Sequence, residues 1–284
     1  MNITIDSYAG FCFGVENAID MAEKYLTDNK TLLCLGELVH NEEQMQQLYD
    51  KGLKIISEND FEKYKGETVL TRAHGIPPET YDKAKANSIH LIDATCPIVS
   101  KLQKKILNTI KQDEDSEIVI FGKKNHPEMI GLIGFSENKA IAIESESDIE
   151  KIDFKKRIYL FSQTTMDEAK YNKIADIIKD KAMEHGTPFV KNESLCNKVS
   201  NRATKLKEIA SQYDAVIFVS GKNSSNGKYL YSVSKSVNEK TYFVSNKFEI
   251  DNSWFKDVQN LLITGANSTP IWLLEDIGNY ISGC

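Results

Sequence analysis

The chain has 284 residues, 41% of them hydrophobic and 27% charged, with a formal net charge of −6. That length exceeds the usual single domain and can bury a substantial core, and the acidic balance argues against a nucleic-acid partner. Apolar runs stay short of the ~18 residues of a membrane span and the N-terminus lacks a signal-peptide pattern, so a cytoplasmic protein without a membrane partner is expected.

In chain order, a strand at Asn2–Ile5 leads to Cys12, and a helical pattern follows through Val15, Ala18 and Ile19. The strand at Leu32–Leu35 then ends in the polar loop Gly36-Glu37-Leu38-Val39-His40-Asn41. Further strands are expected at 53–56 and 69–70, the latter ending in Arg72-Ala73-His74-Gly75. An apolar run at 89–92 reads as a buried strand and leads to Cys96, with Pro97 at the first position of a helix.

The order then recurs. After Cys96 comes a helix through Leu102, Ile106 and Ile110, then a strand at 118–121 and the loop Gly122-Lys123-Lys124-Asn125-His126-Pro127-Glu128. Strands at 140–143 and 158–161 follow, the second ending in Ser162-Gln163-Thr164-Thr165, and Phe189-Val190 leads to Cys196. The third round has a helix through Leu206 and Ile209, then a strand at 215–220 and the loop 221–227. It continues with strands at 242–244 and 261–264 and the turn Gly265-Ala266-Asn267-Ser268-Thr269-Pro270. From cysteine to loop glycine the separations are 24, 26 and 25 residues.

Strands alternating with helices at this spacing predict three small, pseudo-threefold-related parallel-sheet α/β domains around a central site. Their expected spans are 13–96, 97–196 and 197–284, with the N-terminal strand in 1–12 completing the third. Ligands of such sheets gather beyond the carboxyl ends of the strands, where every polar loop above lies.

Five cysteines in a chain expected in the cytoplasm argue for ligands or reactive thiols rather than disulfides. Cys12, Cys96 and Cys196 match no local zinc or ferredoxin spacing, but a threefold repeat brings ligands together without one. Three thiolates on a [4Fe–4S] cluster would leave one iron position open; the bland alternative is three buried apolar cysteines. Cys34 reads as a core residue in its strand and Cys284 as a frayed terminus. His40, His74 and His126 sit in the polar loops and suggest an anion or metal site. His90 reads as a core histidine and His185 as part of a surface turn. The Ser/Asn/Gly-rich loop 221–227, with Ser268 and Thr269, can wrap phosphate oxygens, although it has no P-loop ending. Glu128 is the one carboxylate attached to a histidine loop; it is either a proton donor or an ordinary acidic residue at a helix start.

Seven stretches carry a resemblance that covers nearly the whole chain. They are Gly10 to Val15 (GFCFGV), Gly36 to Asn41 (GELVHN), Arg72 to Gly75 (RAHG), Asp93 to Pro97 (DATCP), Asn125 to Glu128 (NHPE), Ser162 to Thr165 (SQTT) and Lys222 to Asn226 (KNSSN). The chain thereby resembles the LytB (IspH) family of 4-hydroxy-3-methylbut-2-enyl diphosphate reductases. The resemblance implies a [4Fe–4S] cluster held by Cys12, Cys96 and Cys196. It implies that His40, His74, His126, Ser224, Ser225, Asn226 and Ser268 hold the substrate diphosphate. Glu128, with Thr164 and His126 nearby, would supply the proton for a two-electron reductive dehydroxylation, with reduced ferredoxin or flavodoxin as electron donor. Two departures stand out: Val199 where the family has a hydroxyl, and Ile271 where it has an acidic residue. Rival readings are a three-cysteine enzyme with another substrate, such as quinolinate synthase, a zinc hydrolase, and an iron–sulfur sensor or electron carrier.

Overall fold

The computed structural model describes residues 1–283, and Ser200 and Ser225 by their helical backbone alone. Cys284 lies outside the described residues. In chain order the elements begin β1 (Asn2–Ile5), α1 (Phe13–Asp28), β2 (Leu32–Leu35), α2 (Glu42–Asp50), β3 (Leu53–Ile56), β4 (Thr68–Leu70), α3 (Pro78–Ala86) and β5 (His90–Ile92). They continue with α4 (Pro97–Gln112), β6 (Glu117–Phe121), α5 (Pro127–Phe135), β7 (Ile141–Ile143), β8 (Ile158–Ser162), α6 (Glu168–Glu184) and β9 (Phe189–Lys191). The last are α7 (Asn197–Ala210), β10 (Ala215–Val219), α8 (Ser225–Val237), β11 (Thr241–Val244), β12 (Asn260–Gly265) and α9 (Ile271–Ser282).

Three four-stranded sheets result, in the orders β1-β12-β10-β11, β3-β2-β4-β5 and β7-β6-β8-β9. The α/β architecture expected from the alternation of elements is therefore present. The N-terminal strand lies parallel to β12, with Ile5 opposite Ile263. The chain divides into two compact units, Met1–Ile55 with Asn201–Cys284, and Ile56–Ser200.

In the Ile56–Ser200 unit the central strands β6 and β8 bury both faces. Val119, Phe121, Ile158 and Leu160 pack with Tyr171, Ile174 and Ile178 of α6. The alternate residues Ile118, Ile120 and Phe161 pack with Leu102, Ile106 and Ile110 of α4 and with Met129 and Leu132 of α5. Covering on both faces is what lets a parallel strand be apolar at every position, and it explains the unbroken run Ile118-Val119-Ile120-Phe121. The other unit repeats the scheme. Ala215, Ile217 and Val219 face Leu273, Leu274 and Ile277 of α9, and Val216 and Phe218 face Leu206 of α7 and Leu230 of α8.

Two sequence expectations need correction. The strand before Cys96, β5, is an edge strand with no buried residue, and His90 is exposed rather than a core histidine. An edge strand has one covered flank only, so an apolar run of three or four residues overstates its burial. The stretch 221–227 is also not all loop, because α8 starts at Ser225. Cys34 is buried as expected, and His185 sits exposed at the C-terminus of α6.

Candidate active site

In the order β7-β6-β8-β9, the chain leaves β6 for β7 on one side and returns to β8 on the other. The loops after β6 and β8 therefore flank a topological switch point, where α/β sheets open a crevice. The first loop runs into α5. His126 is its N-cap, and its Nδ1 accepts the Glu128 backbone N–H at 3.2 Å. The His74 ring stands edge-on to the His126 ring, with centroids 5.1 Å apart.

Glu128 follows in the first turn of α5 and is 1% exposed. Its Oε1 accepts the backbone N–H of Thr164 at 2.6 Å, and its Oε2 accepts the Thr164 hydroxyl at 3.0 Å. Burial raises the carboxyl from its ordinary value of 4.5 to about 7, although both hydrogen bonds from Thr164 pull the other way. At neutral pH this side chain can hold a proton and give it up, as a general acid must. The sequence left its role open between acid and ordinary helix start. Complete burial in a helix's first turn is not what an ordinary capping carboxylate adopts.

The order β1-β12-β10-β11 has the same reversal between β10 and β12. Ser224 caps α8, its hydroxyl accepting the Gly227 N–H at 3.0 Å, and lies 3.3 Å from the Ser268 hydroxyl on the β12 turn. Asn226 lies in the first turn of α8, where unpaired helix N–H groups and the helix dipole favour an anion. The Ser225 side chain lies outside the described residues. His40 and Asn41 end the loop after β2, and Asn41 caps α2 by accepting the Gln44 N–H at 3.0 Å.

One further residue of this region, Glu42, went unnoticed in the sequence. Glu42 Oε1 accepts the Lys222 N–H at 3.2 Å, which ties the start of α2 to the loop before α8. Gly221 makes that approach possible, since a Cβ there would collide with the His40 carbonyl oxygen and come within 2.7 Å of Glu42 Oε2. Gly221→Ala is therefore expected to raise KM for an anionic substrate about tenfold, with a smaller effect on kcat. Steady-state kinetics would reveal it; an unchanged KM would mean that this contact does not shape substrate binding.

The three loop-end cysteines are partly exposed thiols. Cys12 is the N-cap of α1 and Cys96 of α4, and Cys196 immediately precedes α7. In each case the backbone N–H is tied to the turn after a neighbouring strand: Cys12 to Asn267 O at 3.3 Å, Cys96 to Ala73 O at 2.9 Å, and Cys196 to Thr164 O at 2.8 Å. Neither Cys12 nor Cys96 caps its helix with its side chain. A serine or aspartate there would add about 1 kcal/mol of capping, so these positions forgo stability for a thiol. Cysteine sulfurs are soft ligands, which fits an iron–sulfur group. Among the described residues no three His, Cys, Asp or Glu side chains gather as ligands of a single metal ion.

Comparison with known proteins decides the family. The model of the LytB protein family matches residues 3–282. The chain belongs to the LytB family. Among LytB-family relatives, the 4-hydroxy-3-methylbut-2-enyl diphosphate reductase of Bacteroides thetaiotaomicron is 42% identical over 99% of this chain and 98% of its own. That of Porphyromonas gingivalis is 40% identical over 98% of each. A solved structure of this reductase, described as the terminal enzyme of the non-mevalonate pathway, has a TM-score of 0.79 at 32% identity, covering 100% of this chain and 99% of that one. The Plasmodium falciparum reductase has a TM-score of 0.83 at 28% identity, over 98% of this chain and 87% of its own.

The two departures from the family pattern also have places in the fold. Val199 lies in the first turn of α7, its N–H donating to Cys196 O at 2.8 Å. Ile271 opens α9, 40% exposed, and its side chain fills the space that a Cβ on Gly10 would need, where a φ of +109° also suits glycine. Among the described residues no helix is long and apolar enough to cross a membrane.

Proposed function

We infer that this protein is an iron–sulfur oxidoreductase that reduces 4-hydroxy-3-methylbut-2-enyl diphosphate to isopentenyl and dimethylallyl diphosphate. This is the last step of non-mevalonate isoprenoid synthesis. The observation that carries the reading is Glu128, a buried acid locked by both hydrogen bonds to Thr164 next to a histidine-capped helix start. The reaction consumes two electrons and two protons; the allylic C–O bond breaks, the oxygen leaves as water, and a C–H bond forms at either end of the allyl unit. The proposed group is a [4Fe–4S] cluster on Cys12, Cys96 and Cys196, which when bound supplies the electrons and an open iron site.

In this reading the chain's own residues hold the substrate and manage one proton. His40, His74, His126, Ser224, Ser225, Asn226 and Ser268 hold the diphosphate. Glu128 gives its proton to the departing hydroxyl oxygen, and Thr164 keeps that carboxyl in a single orientation. Three domains, 13–96, 97–196 and 197–284 completed by 1–12, would bring these residues around one cytoplasmic site. Reduced ferredoxin or flavodoxin is the proposed electron donor.

The test is the pH profile of turnover with this substrate and a chemical reductant. Glu128 is protonated below its pKa, so turnover is expected to be level at lower pH and to fall as pH rises through about 7. A rate that stays level well above that point would remove Glu128 as the acid.

A further inference from the structure

The residue after β1, Asp6, is fully buried, and so is Arg202 on α7, at 0% and 3% exposure. Arg202 Nη2 lies 2.6 Å from Asp6 Oδ2 and 2.6 Å from Thr264 Oγ1, and it reaches the Gly265 carbonyl at 3.3 Å. The Thr264 hydroxyl in turn donates to Asp6 Oδ2 at 2.7 Å. One guanidinium nitrogen thus joins the end of β1 to the end of β12. These two strand ends lead directly to the cysteine site. Residues 7–12 run from Asp6 to Cys12, and Gly265 stands two residues before Asn267, whose carbonyl takes the Cys12 N–H.

The arrangement near Cys96 differs. There Asp93, three residues before the cysteine, accepts the Thr71 hydroxyl at 3.1 Å, the Tyr81 hydroxyl at 2.8 Å and the Thr95 N–H at 2.9 Å, with no arginine in these bonds. Aspartate against a strand-end threonine is therefore shared by these two junctions, and of the two the arginine clamp stands at the one before Cys12.

The clamp is poorly explained as a source of stability. A buried ion pair recovers its desolvation cost only when its remaining hydrogen bonds are made. Arg202 Nε and Nη1 are buried and have no hydrogen-bond partner among the described residues, which adds to the cost of burying the charge. Apolar residues of similar volume would hold the two strand ends together at least as well.

We propose that Arg202 is a positioning residue for the Cys12 thiol, acting through Asp6 and Gly265 to fix both ends of the segment that presents it. The proposal rests on the reading of Cys12 as a cluster ligand. Cys12 then has a preset geometry before any metal arrives, and losing the clamp loosens the thiol without unfolding the unit.

The test uses apoprotein, with iodoacetamide alkylation of each cysteine followed by mass spectrometry. The main variant, Asp6→Leu with Arg202→Met, removes both charges at similar volume, so the fold is expected to persist. Cys12 should alkylate about tenfold faster than in the wild type, with Cys96 unchanged. After cluster reconstitution the same variant should release iron to a chelator several-fold faster. Should the double variant not fold, Thr264→Val keeps the two charges paired and removes one arm of the clamp, and a smaller acceleration at Cys12 alone is expected. A folded variant that alkylates Cys12 at the wild-type rate overturns the proposal. Alkylation is read without metal, so an error in the iron–sulfur reading would appear in the reconstitution arm and leave this arm intact.

Discussion

Replacing Glu128 by glutamine is expected to lower kcat by roughly 10²- to 10⁴-fold, the usual contribution of a positioned general acid, with KM little changed. The expectation follows from what the amide keeps and loses. Its oxygen can still accept the Thr164 N–H and its NH₂ can donate to the Thr164 hydroxyl, so α5 and the β8 turn stay joined. What disappears is the only titratable proton at that position, and the donors proposed for the diphosphate are untouched. The variant also has a stability signature of known sign. Because the folded carboxyl titrates near 7 and its ordinary value is 4.5, the folded state of the wild type binds more protons than the unfolded state in that window. Stability is therefore lost as pH rises from about 4.5 and is lowest above 7, by roughly 3 kcal/mol for this group. Glu128→Gln lacks that loss and should melt higher than the wild type above pH 7, by more than it does near pH 5. A variant that is slow yet relatively more stable at alkaline pH fits a buried acid. One that is slow and less stable at every pH would make Glu128 a structural residue.

Replacing Cys12 or Cys96 by serine should abolish iron binding and turnover while leaving the apoprotein at least as stable. The physical reason is the capping geometry: both thiols occupy N-cap positions without capping, and serine caps well, by about 1 kcal/mol. A cysteine kept for core packing behaves in the opposite way. Cys34, fully buried with its thiol 3.1 Å from the Gly36 carbonyl, is the internal control, since Cys34→Ala removes a packed sulfur from an apolar strand and should cost stability while iron is retained. Melting curves of the apoproteins and iron analysis of the reconstituted proteins check both halves. If Cys12→Ser or Cys96→Ser kept its iron, the three-thiol reading would fail.

Much of this was legible in the sequence because period and punctuation agree. Central strands such as Ile118 to Phe121 are apolar at every position, and each is followed by glycine and polar residues at the switch point of its sheet. The cysteines stood out because each one joins a strand pattern to a helix pattern. Burial at the sheet edges was harder to read. His90 and its neighbours look like a core strand, and only the strand order places β5 at an edge. Contacts between remote residues were not legible at all. Asp6, Arg202 and Thr264 are 62 residues or more apart, as are Glu42 and Lys222 at 180, and no local pattern marks such pairs. The start of α8 at Ser225 was masked by its serine, asparagine and glycine residues, which favour both loops and helix N-termini.

The most direct measurement is anaerobic purification followed by iron and sulfide analysis and an assay of 4-hydroxy-3-methylbut-2-enyl diphosphate reduction. The predicted result is a brown protein with iron and sulfide in the proportion of one [4Fe–4S] cluster per chain. It should convert the substrate to isopentenyl and dimethylallyl diphosphate when given a reductant. A protein that stays colourless after reconstitution, or a brown one that leaves this substrate unchanged, would contradict the account.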